Sequence, residues 1–204
     1  MQGLRALQTV TKNHERRIFM PRIPGLLERI QQPLYDRNTV ATSGTSQLNF
    51  FQVPLGGTNA GSVTPKTQVQ TNMDQGGSLP YPKNFEIHAL RVINQYDSAV
   101  ADLNLVYNNA WFRLFIGTKD YLVVNLFMLT AGVGLDGVAA GSTDVVSVTN
   151  GRPDQRGIYV LAEPIDLIPQ QNFRCEVNFP TPVTLSATVD LSVYLDGFFK
   201  REVH

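Results

Sequence analysis

The amino-acid sequence predicts an all-β protein: an antiparallel β-sandwich, single jelly-roll-like, with an N-terminal arm containing short helices and one short helix inserted. Three observations predict it. Across residues 183–196, Val183, Leu185, Ala187, Val189, Leu191, Val193 and Leu195 alternate without a break with polar or amphipathic neighbours. Successive side chains of a strand point to opposite faces, so this period marks one core face and one wet or partner-contacting face. Phe173, Cys175, Val177 and Phe179 repeat the pattern, with the Pro180-Thr181-Pro182 turn between the two runs. Short strand-like runs bounded by turn residues recur from Ser46 onward, and their long connections favour a jelly roll over a meander.

The bulk properties agree. A chain of 204 residues suits one sandwich domain, and 43% hydrophobic residues can fill its core. Only 17% are charged, against about a quarter in ordinary domains. Low charge is common where surface becomes interface. The net charge is zero but unevenly spread: residues 1–38 hold seven basic and three acidic residues, +4, leaving −4 for the rest. The single cysteine, Cys175, excludes an internal disulfide framework, and its place on an apolar phase makes it a small buried hydrophobe. The opening MQGLRALQTVTKNHERR has no apolar signal core. Residues 121–129, the longest apolar stretch, are interrupted by Asn125 and fall far short of the roughly 20 residues of a membrane helix, so no membrane span is expected.

Residues 1–40 read as a basic arm, with the sandwich over 41–204. Leu4, Leu7, Thr11, His14 and Ile18 mark a helical stripe that Pro21 and Pro24 break. Leu26, Leu27 and Ile30 fit a second short helix between Pro24 and Pro33. Such an arm packs on a neighbouring subunit or on its own domain. Residues 46–53 read as a strand. A long Gly/Pro-punctuated loop follows to Pro82, holding a short strand at 67–71; its length suggests an interface role. Residues 83–95 are a strand whose phase slips near Leu90, as a bulge or full burial would explain. Residues 97–110 carry apolar groups at helical spacing, with Ser98 as N-cap, and read as a short helix, with a strand over 103–107 as the alternative. Residues 111–116 and 121–129 form the most apolar hairpin, with both faces buried by core and by a neighbour or covering loop. Residues 145–148, 157–162 and 165–168 are further strand segments.

No catalytic constellation emerges, so the chain is read as a non-enzyme without cofactors. There is no Gly-x-Ser-x-Gly elbow, and the glycines of the long loop match no phosphate-binding pattern. His14, His88 and His204 have no zinc spacing. Asp74, Asp136, Asp144 and Asp154 are turn formers rather than a calcium set. Trp111 reads as a core residue.

The segments PIDLIPQQNFRCEVNF, VDLSVYLDGFFKREV and TNMDQGGSLPYPKNFEIHALRV resemble jelly-roll virion proteins of tailless icosahedral bacteriophages and related environmental viruses. The resemblance covers residues 45–203. It implies a capsid subunit that assembles with itself and other virion proteins in the host cytoplasm, its terminal arm tying neighbours together. The candidate assembly contacts are Arg16, Arg17, Ile18, Phe19, Leu26, Leu27 and Ile30, together with the loops 56–82 and 132–141. A weak nucleic-acid contact through the arm is open to the Arg16–Arg17 pair by simple charge, as is a solvated face. The alternative function is a receptor- or carbohydrate-binding sandwich, a spike or lectin-like module.

Overall fold

A computed structural model describes residues 27–60, 62–94, 98–130, 138–140, 145–147 and 158–202. In chain order the elements are β1 (Leu27–Gln31), β2 (Leu34–Val40), β3 (Gln47–Phe50), β4 (Asn84–Asn94), α1 (Val100–Asn109), β5 (Trp111–Ile116), β6 (Lys119–Asn125), a 3-10 helix (Leu126–Thr130), β7 (Val138–Ala140), β8 (Val145–Ser147), β9 (Tyr159–Leu167), β10 (Phe173–Asn178) and β11 (Val189–Glu202). Two antiparallel sheets result. One runs β1-β11-β4-β9 with β2 also on β11, the other β3-β10-β5-β6; β7 and β8 form a separate hairpin.

The pairing is nested. β2 pairs with β11, β3 with β10, β4 with β9 and β5 with β6. The chain thus runs out along four strands and returns along their partners in reverse order. Two further pairings, β4 with β11 and β5 with β10, close the sheets. Inward residues of both sheets make one core. Phe85, Ile87, Leu90, Val92, Leu191, Val193 and Leu195 come from the first sheet, and Phe50, Phe112, Leu114, Cys175 and Val177 from the second. Leu103, Val106 and Tyr107 of α1 join it. Each such Leu or Phe contributes about 1.5–3 kcal/mol by leaving water.

The phase slip in β4 is real. Its inward residues shift from Phe85, Ile87 and Ala89 to Leu90 and Val92, and the ladder to β9 is irregular between Ile87 and Ala89. β11 has its own irregularity at Asp196/Gly197, where a Cβ on Gly197 would stand 1.9 Å from the Glu86 carbonyl oxygen. Only glycine lets the two backbones approach so closely.

Several expectations are corrected. Residues 27–40 are not helical arm: β1 and β2 are strands laddered on β11. The spacing of Leu26, Leu27 and Ile30 fits a helix, but the free edge of β11 offers backbone partners, and pairing overrides local period. Residues 183–196 are not one strand: β11, in the other sheet from β10, begins only at Val189. The cause is Asp102 on α1. Its carboxylate accepts the N–H of Ser186 at 2.9 Å and of Ala187 at 3.1 Å, and the Ser186 hydroxyl at 2.6 Å. Those amides are therefore taken from any ladder, although Val183 and Leu185 still bury their side chains. Residues 67–71 make only an isolated bridge, Thr71 to Asp36. The helix starts at Val100 with Ala99 as N-cap and no side-chain cap bond.

Candidate assembly surface

The inner faces of the two sheets are used up by the core. What remains for function is two outer faces, the sheet edges and the loops.

The outer face of the first sheet is occupied by its own charges. Arg91 pairs with Asp196 at 2.7 Å, Arg37 donates to the Ser192 hydroxyl at 3.1 Å, and the Thr39 hydroxyl donates to Asp190 at 2.5 Å. Glu86 is held by Lys200 and by Arg29, with His88 Nε2 3.0 Å away. The Lys200 ammonium keeps the Glu86 carboxyl below its ordinary value, and Glu86 in turn raises Lys200. Tyr35 packs on Tyr194 and His88 on Phe198. The polar phase of β11 is thus a self-satisfied surface.

The outer face of the second sheet is a ladder of arginine and aromatic groups. The Arg113 guanidinium lies 4.7 Å from the rings of both Trp111 and Phe115, and Arg174 lies 4.1 Å over Phe115. Glu176 and Asp120 balance these cations at 2.6 and 3.6 Å. Trp111 is therefore half-buried on the outer face, not in the core. Residues i and i+2 of a strand share a face, and it is Phe112 and Leu114 that point inward.

The edges differ most. An unpaired strand edge templates further strands unless it is short, charged, interrupted by proline or covered. β9 carries Glu163, Pro164 and Asp166. β3 is four residues long with exposed Gln47 and Asn49. β1 carries Glu28 and Arg29. The edge of β2 is covered by the loop, through Tyr35 N–H to Asn72 Oδ1 at 2.9 Å and Phe51 N–H to Asp36 Oδ2 at 2.7 Å. Among the described residues β6 has none of these defences past Asp120. Tyr121, Val123, Phe127 and Met128 are 49%, 53%, 63% and 51% exposed, and no charge or proline falls between residues 121 and 129. Among the described residues no further strand lies beside β6. Within the single chain the core buries one face of this hairpin. Leu122 and Val124 pack on the core, while Val123, opposite Arg113, points out.

Of the sequence-derived contacts, Arg16, Arg17, Ile18, Phe19 and Leu26 lie outside the described residues. Leu27 and Ile30 sit on β1, with Ile30 half-buried beside Phe199, its ladder partner. The loop over residues 56–82 is built into the fold more than expected: Lys66, Met73 and Leu79 are buried. Val63, Val69 and Tyr81 remain highly exposed on it. Of the loop 132–141, only 138–140 is described, as β7. Sequence reasoning did not single out the Tyr121–Met128 surface, although its apolar surplus was visible. Among the described residues no His, Cys, Asp and Glu group could hold a metal ion, and no helix is long and apolar enough to cross a membrane. Comparison with known proteins finds no matching family model, no matching curated protein and no matching solved structure.

Proposed function

We propose that the chain is a structural subunit, built as a single jelly roll, that assembles with copies of itself; a virion shell is the assembly that the sequence resemblance implies. The observation that carries self-assembly is the β6 edge, which among the described residues has no strand beside it and presents exposed Tyr121 and Val123. An open ladder edge flanked by exposed apolar side chains binds another strand by backbone hydrogen bonds and apolar burial. Support for the jelly roll is the nested pairing, in which a long four-rung hairpin is rolled so that its strands alternate between two sheets. Low overall charge suits a subunit whose side walls become interface.

The test uses the purified full chain in light scattering and negative-stain electron microscopy. Shells, capsomers or sheets are expected. The paired substitution Tyr121→Lys and Val123→Lys, on exposed positions, is expected to leave the β-type circular dichroism unchanged and abolish the assemblies. A wild-type chain that stays monomeric at high concentration overturns the reading.

A second reading, a carbohydrate-binding module, draws on Trp111 standing on an outer face. Its ring already carries the Arg113 guanidinium at 4.7 Å, so a sugar would have to displace a cation–π contact. Glycan-array binding by a non-assembling wild-type chain would favour this reading over the first.

A further inference from the structure

The loop between β3 and β4 is fastened to the sandwich by polar groups sealed from water. Asp36, on the inward face of β2, is fully buried, and Lys66 reaches it from the loop while itself only 4% exposed. The Lys66 Nζ lies 2.7 Å from Asp36 Oδ1. The second oxygen, Oδ2, accepts the Phe51 N–H at 2.7 Å. The Thr71 hydroxyl also donates to the carboxylate, and its oxygen accepts the Met73 N–H at 3.3 Å. Phe51 has φ of 67°, a left-handed conformation rare for a bulky residue, so its amide is aimed at Asp36 against a backbone cost. The Lys66 backbone is fixed as well, its N–H donating to Gly57 at 2.8 Å and its carbonyl accepting from Gly56 at 2.9 Å. An amine and a carboxyl are thus held in contact from two sides, out of water, with the Phe51 amide on the oxygen that the amine does not touch.

We propose that Lys66 and Asp36 join as an intramolecular amide, a covalent cross-link between the loop and β2. A proton first passes along the short hydrogen bond from Nζ to Oδ1, giving a neutral amine and a carboxylic acid. Burial disfavours the charged carboxylate. Burial is also what holds the Asp36 carboxyl above its ordinary value, against the opposing pull of the Lys66 charge. The Nζ lone pair then attacks Cγ. The nitrogen–carbon bond forms and the carbonyl electron pair moves onto Oδ2, where the Phe51 amide receives the developing charge. A second proton moves from nitrogen to Oδ1, the Cγ–Oδ1 bond breaks, and one water leaves. No oxidant, reductant or co-reactant is consumed. Fixed contact of the two groups supplies the effective concentration the condensation needs. In the product, Oδ2 remains a carbonyl oxygen that accepts from Phe51, and an expensive buried ion pair has become a neutral amide.

Intact-mass spectrometry of the denatured full chain decides the matter. The wild-type protein is expected to be lighter than its sequence by one water, and protease digestion should yield a branched peptide joining the Asp36 segment to the Lys66 segment. Lys66→Arg and Lys66→Met should carry their full sequence masses and give no branched peptide. Asp36→Asn should still cross-link, losing ammonia instead of water, so its product has the wild-type mass; a purely structural ion pair would show no such convergence. Wild-type protein at full sequence mass, without a branched peptide after prolonged incubation, overturns the proposal whether or not any variant folds.

Discussion

Two buried carboxylates fasten two long connections to this sandwich, and they do so by opposite electrostatics. Asp36 holds the loop between β3 and β4 with a cation, Lys66, beside two neutral donors. Asp102 holds the 186–187 segment ahead of β11 with neutral donors alone, two backbone amides and a hydroxyl. Desolvation is the largest influence on both. At Asp36 it prevails and raises the carboxyl; at Asp102 the bonds from Ser186 and Ala187 overcome it and hold the carboxyl below its ordinary value. The difference shows what each site tolerates. Asp102 is a stable anion whose charge is spread over donors that cost nothing to bury. Asp36 must be desolvated together with its partner, and burial raises its carboxyl.

Removing each carboxylate should separate them. Asp36→Ala leaves Lys66 buried without its counter-charge and releases the Phe51 amide. A loss of roughly 3–5 kcal/mol is expected, the range for stripping one partner from a buried ion pair, read from the denaturant midpoint. The exposed tip at Val63 should at the same time become sensitive to protease. Gly197→Ala, which drives a methyl group into the Glu86 carbonyl, should cost about 1–3 kcal/mol as a local overpacking. Asp102→Leu should cost roughly 1.5–3 kcal/mol, the worth of hydrogen bonds to a charged group. Its effect is smaller than that of Asp36→Ala because Ser186 and Ala187 lie on an exposed stretch, where freed amides find water. An Asp102 variant that loses more than the Asp36 variant would reverse the comparison.

The strand phases were legible in the sequence where one partner face is uniformly apolar. β10 and the first half of β4 alternate as read, and the bulge in β4 left its mark as a doubled apolar step at Ala89–Leu90. β2 was missed for the reason that makes it interesting. Its inward face carries Asp36 and Asn38 between Leu34 and Val40, so its period looks broken until the Lys66 that neutralises it arrives from thirty residues downstream. The start of β11 was misplaced by the mirror-image effect. Residues 183–188 have a perfect strand period, but Asp102, some eighty residues upstream, has claimed two of their amides. In both cases the deciding contact is a long-range polar one, invisible to local periodicity. The β6 surface was legible as an apolar surplus, but a run of apolar residues does not say whether it meets core or partner. Only the ladder, which leaves β6 at an edge, assigns it.

The finest distinction between the two carboxylates lies in their response to acid. A carboxyl whose folded pKa is depressed contributes stability above its unfolded value, near 3.8 for Asp102, and that contribution disappears as pH falls through the lower folded value. Asp36, raised in the fold or consumed in an amide, contributes nothing of this sign. Asp102→Asn keeps an acceptor for the Ser186 and Ala187 amides but removes the charge. At neutral pH it should be less stable than wild type by about 1 kcal/mol, the difference between charged and neutral acceptors. As pH is lowered below the ordinary carboxyl value, the wild type alone should lose stability at this site, and the two urea midpoints should converge. A gap that stays constant down to the acid transition would mean that the carboxylate of Asp102 holds the strand entry by shape, with its charge irrelevant.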